Sequence, residues 1–399
     1  MALVNPIPSQ IARIRVVGIG GGGGNAVNYM VSDNRTGGIE FIVVNTDAQA
    51  LLASKAETKI QIGEKVTRGL GSGGNPKTGR EAAEESKEKI KDLLRGSDMV
   101  FIAGGMGGGT ASGSAPVIAQ LAKEELGILT VAVVTKPFFF EGTRRMVIAE
   151  ESIDKLREKV DTLIVVPNQK LLEVSTEKTT LLDAFKLADS VLANGVRGIS
   201  DLITVSGLIN LDFADVRSVM ENAGTALLGV GSASGENRAQ EAVLKAISSE
   251  LLDVTIEGAR GVLLNICGGA DLTMAEVEKA AKTISSQVGG DANIFFGASI
   301  DPSIKGVKIT VVATGFDETR KALAGLVKPK QELGISGSET DFFKNEDAVF
   351  PSTGQGKSSF KKNKKNKKKT KSPLFTQDLP EGVEIVDEFD IPSFLRKRS

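Results

Sequence analysis

Two stretches of this chain have the residue types that grip a phosphate. Gly18-Ile-Gly-Gly-Gly-Gly-Gly24 matches GxGxxG, and Gly104-Gly-Met-Gly-Gly-Gly-Thr-Ala-Ser-Gly113 is a second glycine-rich loop. Each follows a short apolar run and precedes a helical pattern. Glycine lets the backbone come close to a phosphate. The helix N-terminus beyond it offers free N–H groups and positive partial charge. The first loop alone also fits a dinucleotide site, or a packing turn between strand and helix. Neither loop contains Lys-Ser or Lys-Thr, so neither is a Walker loop. Two such loops at neighbouring strand ends suit a nucleoside triphosphate better than a dinucleotide.

A third segment, Asn210-Leu-Asp-Phe-Ala-Asp215, brings an amide and two carboxylates together. A helix start explains both acids: Asp212 as N-cap, Asp215 in the first turn. Positioning and polarising a water explains them too. The chain has no histidine and no tryptophan. The usual general base and the commonest metal ligand are therefore absent. Catalysis must rest on carboxylates, amides, backbone groups and a metal ion.

These groups need elements to hold them. Ile14–Val17, Phe41–Val44, Met99–Ala103, Ile128–Val134 and Thr162–Val166 read as strands, with helices from about Asn25, over Lys77–Arg95, over Ala115–Lys123 and near Arg144–Glu158. Short strands without alternation, each followed by a helix, indicate a parallel sheet covered on both faces. Leu181, Phe185, Ala188, Leu192, Val196 and Ile199 recur at helical spacing, so Thr180–Ile203 reads as one long helix. Beyond it come helices near Asp215–Asn222, Asn237–Ser248 and Met274–Ser285, and strands at Gly261–Ile266, Asn293–Ile300 and Lys308–Ala313.

The 399 residues suffice for two domains and a tail. The net charge of −1 divides unevenly: residues 1–320 carry −6 and residues 321–399 carry +5. An acidic body with a basic tail argues against a whole-surface nucleic-acid binder. The single cysteine, Cys267, allows no internal disulfide and fits a reducing cytosol. Met1–Ala12 has no signal-like pattern, and no apolar run approaches the ~18 residues that span a bilayer. Residues 330–380 read as a disordered linker holding the basic run 361–371, KKNKKNKKKTK. Apolar residues return over 384–398, as in a docking peptide that folds on binding.

Several long motifs, in order, carry a resemblance. GGGTASG (107–113) is similar to the tubulin signature. NTDAQALL (45–52), TRGLGSGGNP (67–76), DLITVSGLINLDFADV (201–216) and DEFDIPSFLR (387–396) resemble the bacterial FtsZ family, tubulin-like cell-division GTPases. The resemblance implies an α/β, tubulin-like two-domain fold. A Rossmann-like parallel-sheet domain (1–179) is joined by a central helix (180–203) to a smaller α+β domain (204–317). A disordered linker (318–383) and a docking peptide (384–399) follow.

The same resemblance implies that the protein binds GTP and GDP. Gly20, Gly21, Gly22, Gly23, Gly24 and Asn25, with Gly107, Gly108, Gly109, Thr110 and Ala111, would cradle the α- and β-phosphates. Gly71 and Gly73 would lie near the γ-phosphate, and Asn45 and Thr135 would belong to the same site. Glu141 and Arg145 would hold the ribose region. Asn168 and Asp189 would bond guanine, with Phe185 stacked on it, although Phe185 also suits core packing. Asn210, Asp212 and Asp215 would enter the site of the next subunit, so that hydrolysis is completed in trans in a head-to-tail polymer. Mg²⁺ would come with the nucleotide, without a dedicated protein cage, and K⁺ is a further candidate. The implied setting is cytoplasmic, at the midcell division ring, with FtsA or similar proteins docking on 387–396, membrane contact only indirect, and no specific nucleic acid.

The sequence departs from the family pattern in places. Ala111 replaces a usual glycine; if that position needs positive φ, alanine costs about 1 kcal/mol. Asn168-Gln-Lys, Ser206 and Cys267 are further departures. A polymerising paralogue with very low hydrolysis and a nicotinamide-dependent dehydrogenase are the rival readings.

Overall fold

Successive residues of Met99-Val-Phe-Ile102 enter opposite cores. Met99 and Phe101 join one apolar cluster, Val100 and Ile102 another, and all four are buried. A strand covered on both faces reads as a continuous apolar run, because neither face meets water. The computed structural model describes residues 12–32, 37–173, 179–205, 207–248, 256–288 and 292–316. The expected linker, basic run and docking peptide lie outside these residues, as does Ser206.

The elements run β1 (Ile14–Ile19), α1 (Gly20–Ser32), β2 (Ile39–Asn45), α2 (Ala48–Ala53), β3 (Thr58–Gln61), α3 (Glu64–Thr67), α4 (Pro76–Glu85) and α5 (Lys87–Leu94). Next come β4 (Met99–Gly105), α6 (Gly109–Gln120), β5 (Leu129–Lys136), α7 (Thr143–Arg157), β6 (Thr162–Pro167), α8 (Asn168–Glu173) and α9 (Leu181–Thr204). Then follow α10 (Phe213–Met220), β7 (Gly224–Ala233), α11 (Arg238–Ile247), β8 (Gly261–Gly268), α12 (Met274–Val288), β9 (Asn293–Ile300) and β10 (Val307–Thr314).

The described strands form one sheet ordered β3-β2-β1-β4-β5-β6-β7-β10-β8-β9. Pairing is parallel from β3 through β7. It turns antiparallel on both sides of β10. Helices α1 and α9 cover one face of the parallel part, through Val27, Met30, Leu192 and Val196. Helices α4 to α7 cover the other, through Ala82, Ile90, Ile118 and Ile153. A third core joins α11 and α12 to β8 and β10.

Three features differ from the sequence expectation. The glycine loops were expected to precede their helices, yet α1 starts at Gly20 and α6 at Gly109. Glycine costs about 1 kcal/mol in a helix interior, so local propensity points away from this. Close packing decides it. A side chain on Gly23 would run into the Ala103 carbonyl, and one on Gly109 would meet the Asn75 nitrogen at 2.6 Å. Second, Lys77–Arg95 is two helices rather than one. The chain bends at Ser86 (φ −102, ψ 13), whose buried hydroxyl accepts the Gly63 N–H at 3.1 Å. Third, β3 and β7 were not expected. In β7, Gly229 and Gly231 break the apolar pattern, because α11 backbone lies where their side chains would be.

Helix α9 is the main spacer. Thr180 caps it, accepting the Asp183 N–H at 3.2 Å. Leu192, Val196 and Ile199 are buried against the sheet, but Leu181 and Phe185 are exposed. The helix therefore projects past the core at its N-terminal end. The apolar stripe read from sequence continues into something other than core.

Candidate nucleotide site

The carboxyl ends of β1, β4, β5 and β6 open onto one cleft of about 410 Å³. This is where parallel sheets bind ligands, because the chain turns that follow these strands diverge there. Strand β1 delivers Gly20, Gly21, Gly22 and Asn25 to the wall. Strand β4 and the start of α6 deliver Gly108, Gly109, Thr110 and Ala111. Thr135 comes from β5, Asn168 from the end of β6, and Phe185 and Asp189 from α9.

One end of the cleft is a backbone cradle. A Cβ on Gly21 or Gly108 would meet nothing within 4 Å, whereas one on Gly22 would lie 3.3 Å from the Gly105 nitrogen. The two loops thus touch each other and leave their outer faces open. Gly107 adopts φ +97 against the Arg145 carbonyl, and its N–H donates to the buried Ser112 hydroxyl at 2.9 Å. That shapes the turn from beneath, outside the cleft lining.

Five more expected residues stand apart from the lining. Gly23 and Gly24 face the sheet, against Ala103 and Val43. Asn45 is buried and ties its own turn, accepting the Asp47 N–H at its side chain and the Ile62 N–H at its carbonyl. Gly71 (φ +85) donates its N–H to the Thr46 carbonyl. Gly73 (φ +60) belongs to the same loop and faces open space.

The other end of the cleft presents acceptors. Asn168 is 6% exposed, and its Oδ1 has no hydrogen-bond partner among the described residues. An orphaned buried acceptor costs about 1–3 kcal/mol, so a donor from a ligand fits here. Burial pushes the Asp189 carboxyl up to about 6. An amide oxygen and a carboxylate together match guanine, whose edge offers N1–H and N2–H₂ donors that adenine lacks. Phe185 meets Phe138 edge-on at 5.5 Å and Phe140 at 6.4 Å, and its half-exposed ring lines the cleft. The ring is therefore available to a base.

Between these ends sit Glu141 and Arg145, ion-paired at 2.6 Å. The second Glu141 oxygen accepts the Phe138 N–H at 2.9 Å. The pair is fixed from two sides and retains lone pairs for hydroxyl donors. Only Arg68 and Asn222 among described non-glycine residues have positive φ, and Ala111 sits in the first turn of α6. The expected strain penalty is absent.

Sequence reading missed Pro137, Ala188 and Leu192 in the lining. The signal for two of them was present: Ala188 and Leu192 follow Phe185 at three and seven residues, on one helix face.

The third motif is elsewhere. Asp212 caps α10, accepting the Asp215 N–H at 2.8 Å, and Asn210 Oδ1 accepts the Gly207 N–H at 2.6 Å. Ile209 pairs with Ala298 of β9. None of Asn210, Asp212 and Asp215 lines the cleft.

A parallel sheet with paired glycine turns and guanine-type acceptors at its carboxyl edge defines a nucleotide-binding α/β protein. The GTPase-domain pattern of the tubulin/FtsZ family matches residues 13–176, and that of the FtsZ family C-terminal domain matches 224–317. An empty FtsZ dimer from M. jannaschii is 49% identical, with a TM-score of 0.73 over 76% of this chain and 88% of that one. A single-substitution FtsZ variant from M. jannaschii is also 49% identical, with a TM-score of 0.74 over 77% and 92%. CetZ2 of Haloferax volcanii, a GTPγS-bound protofilament, shares the fold at 21% identity, with a TM-score of 0.65 over 79% and 99%. The chain belongs to the tubulin/FtsZ family of GTPases and carries the FtsZ-type C-terminal domain.

Among the described residues, no helix is long and apolar enough to cross a membrane.

Proposed function

We propose that this protein hydrolyses GTP as one subunit of a head-to-tail filament, each site being completed by the next copy, and that the filament scaffolds the cytoplasmic division ring at midcell. One observation carries this reading. The cleft and the Asp212–Asp215 segment lie at opposite ends of α9. From Asp189 to Thr204 the helix rises roughly 22 Å, at about 1.5 Å per residue. The acids lie beyond its far end, on the loop that pairs with Ala298. One subunit cannot bring its own carboxylates to its own nucleotide. A second copy stacked end to end can.

Exposed apolar side chains support the stacking. Leu70 and Phe139 are exposed on turns at the cleft end, Leu181 and Leu182 in the first turn of α9, and Leu208 beside the acid loop. A contact between two different surfaces does not close on itself, so it propagates as a filament.

Within the shared site the residues divide the work. The backbone cradle holds phosphate oxygens, and Asn168 and Asp189 select guanine. Asp212 spends one oxygen on its cap, which aims the other. That oxygen and Asp215 draw a proton from the attacking water. Asn210 spends its oxygen on Gly207 and keeps its amide N–H₂ to orient that water. Mg²⁺, bound with the nucleotide, would neutralise charge on the phosphates, and K⁺ would assist. Division proteins such as FtsA would dock on 387–396, making membrane contact indirect.

The test is GTP hydrolysis per subunit across protein concentration, with Mg²⁺ and K⁺. A threshold followed by rising specific activity supports the shared site. Constant specific activity refutes it. GTP binding and assembly without hydrolysis would instead make the protein a structural paralogue.

A further inference from the structure

Phe185 stands one turn into α9, where the helix projects past the core, and it is 41% exposed. A half-exposed aromatic side chain has several rotamers to choose from, and stacking on a base needs one of them.

The contacts that choose come from another element. Phe138 and Phe140, on the turn between β5 and α7, stack on each other with centroids 5.0 Å apart and planes 12° from parallel. Both stand almost perpendicular to Phe185, at 88° and 89°. Such edge-to-face pairs attract, because the positive ring edge meets the negative ring face. Two parallel rings that meet a third at right angles fix its plane as well as its place. Turning the Phe185 ring about its Cβ–Cγ bond changes both angles together.

The turn that carries the pair is itself anchored. Phe138 is fully buried. Its N–H donates to the Glu141 carboxylate at 2.9 Å, and the Phe139 N–H donates to the Gln169 side-chain oxygen at 3.2 Å. The Glu141 and Gly142 N–H groups donate back to the Phe138 and Phe139 carbonyls, both at 3.1 Å. Gln169 adjoins Asn168, the acceptor proposed for guanine. The turn is thus tied to the base end of the cleft and carries Glu141 toward its middle. Neither Phe138 nor Phe140 lines the cleft. Any effect they have on a ligand passes through Phe185 or through the turn.

Resting on the reading of this cleft as a guanine-nucleotide site, we infer that Phe138 and Phe140 are positioning residues, which hold the Phe185 ring in the plane that stacks on the base before the nucleotide arrives. A ring ordered in advance spares the nucleotide the entropy of ordering it, so the effect is read in affinity. Phe140 is exposed, so it is the member whose exchange disturbs the fold least.

The experiment measures GDP affinity by titration calorimetry in dilute full-length protein. The variants are Phe140→Leu, Phe140→Tyr, Phe185→Ala and the double variant Phe140→Leu, Phe185→Ala. Phe140→Leu weakens GDP by about fivefold, the cost of ordering one free side chain. Phe140→Tyr keeps the ring and binds GDP as the unaltered protein does. In the Phe185→Ala background, Phe140→Leu costs nothing more, because the ring it positions is gone. The same loss with and without Phe185 makes Phe140 merely structural and overturns the inference. So does an unchanged affinity in Phe140→Leu, or a loss in Phe140→Tyr as large as that in Phe140→Leu. If the unaltered protein binds no GDP, the guanine-nucleotide reading itself falls.

Discussion

The Asp212 side chain accepts the backbone N–H of Asp215 at 2.8 Å, so the carboxylate assigned to catalysis is also the cap of α10. The two roles separate by substitution. Asparagine caps as well as aspartate, whereas alanine does not. Asp212→Asn keeps its thermal stability and loses hydrolysis by at least ~100-fold, the usual contribution of a general base. Asp212→Ala loses about 1 kcal/mol of stability as well. Both still bind GTP and form longer-lived filaments. Turnover near wild type in Asp212→Asn would leave the residue only its capping role.

On the proposed reading of the site, guanine affinity depends on the charge of Asp189. Burial holds its carboxyl at about 6, and the ionised form accepts guanine's donors. Binding therefore weakens as pH falls below 6, by up to about tenfold per unit. Titration calorimetry with GDP between pH 7.5 and 5 shows this slope. Asp189→Asn binds more weakly throughout and has no slope from this group.

Stability of the nucleotide-free protein runs the other way. Asp189 and Asp201 are both raised from 3.8 to about 6 by burial, which at Asp201 outweighs Arg197 and Lys308. Between those values each acid is protonated when folded and ionised when unfolded. The folded state binds more protons, so these two groups make stability fall as pH rises through that window and level off above about 6. Melting curves from pH 4.5 to 7 carry the effect. The double variant Asp189→Asn, Asp201→Asn lacks it, and an identical pH profile would contradict it.

Two substitutions near the cradle separate conformation from contact. Ala111 has helical φ, so Ala111→Gly relieves nothing and lowers stability by about 1 kcal/mol. Gly109→Ala places a methyl group 2.6 Å from the Asn75 nitrogen and 2.9 Å from its carbonyl oxygen. It pushes α4 from α6 and abolishes GTP binding, read by fluorescence of a labelled nucleotide. A Gly109→Ala protein with normal affinity would show that this packing is not needed.

Much was legible in the amino-acid order. Apolar runs marked β1, β2, β4, β5 and β6, and the helical stripe marked α9, because burial on one or two faces leaves a period of its own. The glycine loops announced a phosphate site, since few other uses demand so many residues without side chains. The tertiary structure alone decided the rest. It drew the glycines into helices, where packing against the Ala103 and Asn75 backbones overrode propensity. It broke the helix at Ser86 to serve Gly63, a partner 23 residues away. It gathered Phe138, Phe140 and Phe185 into one aromatic cluster and left Asp212 and Asp215 at the other end of α9. Local pattern records which face of each element is buried. Which distant residues meet, and which are kept apart, depends on how the elements stack, and no short stretch of sequence holds that information.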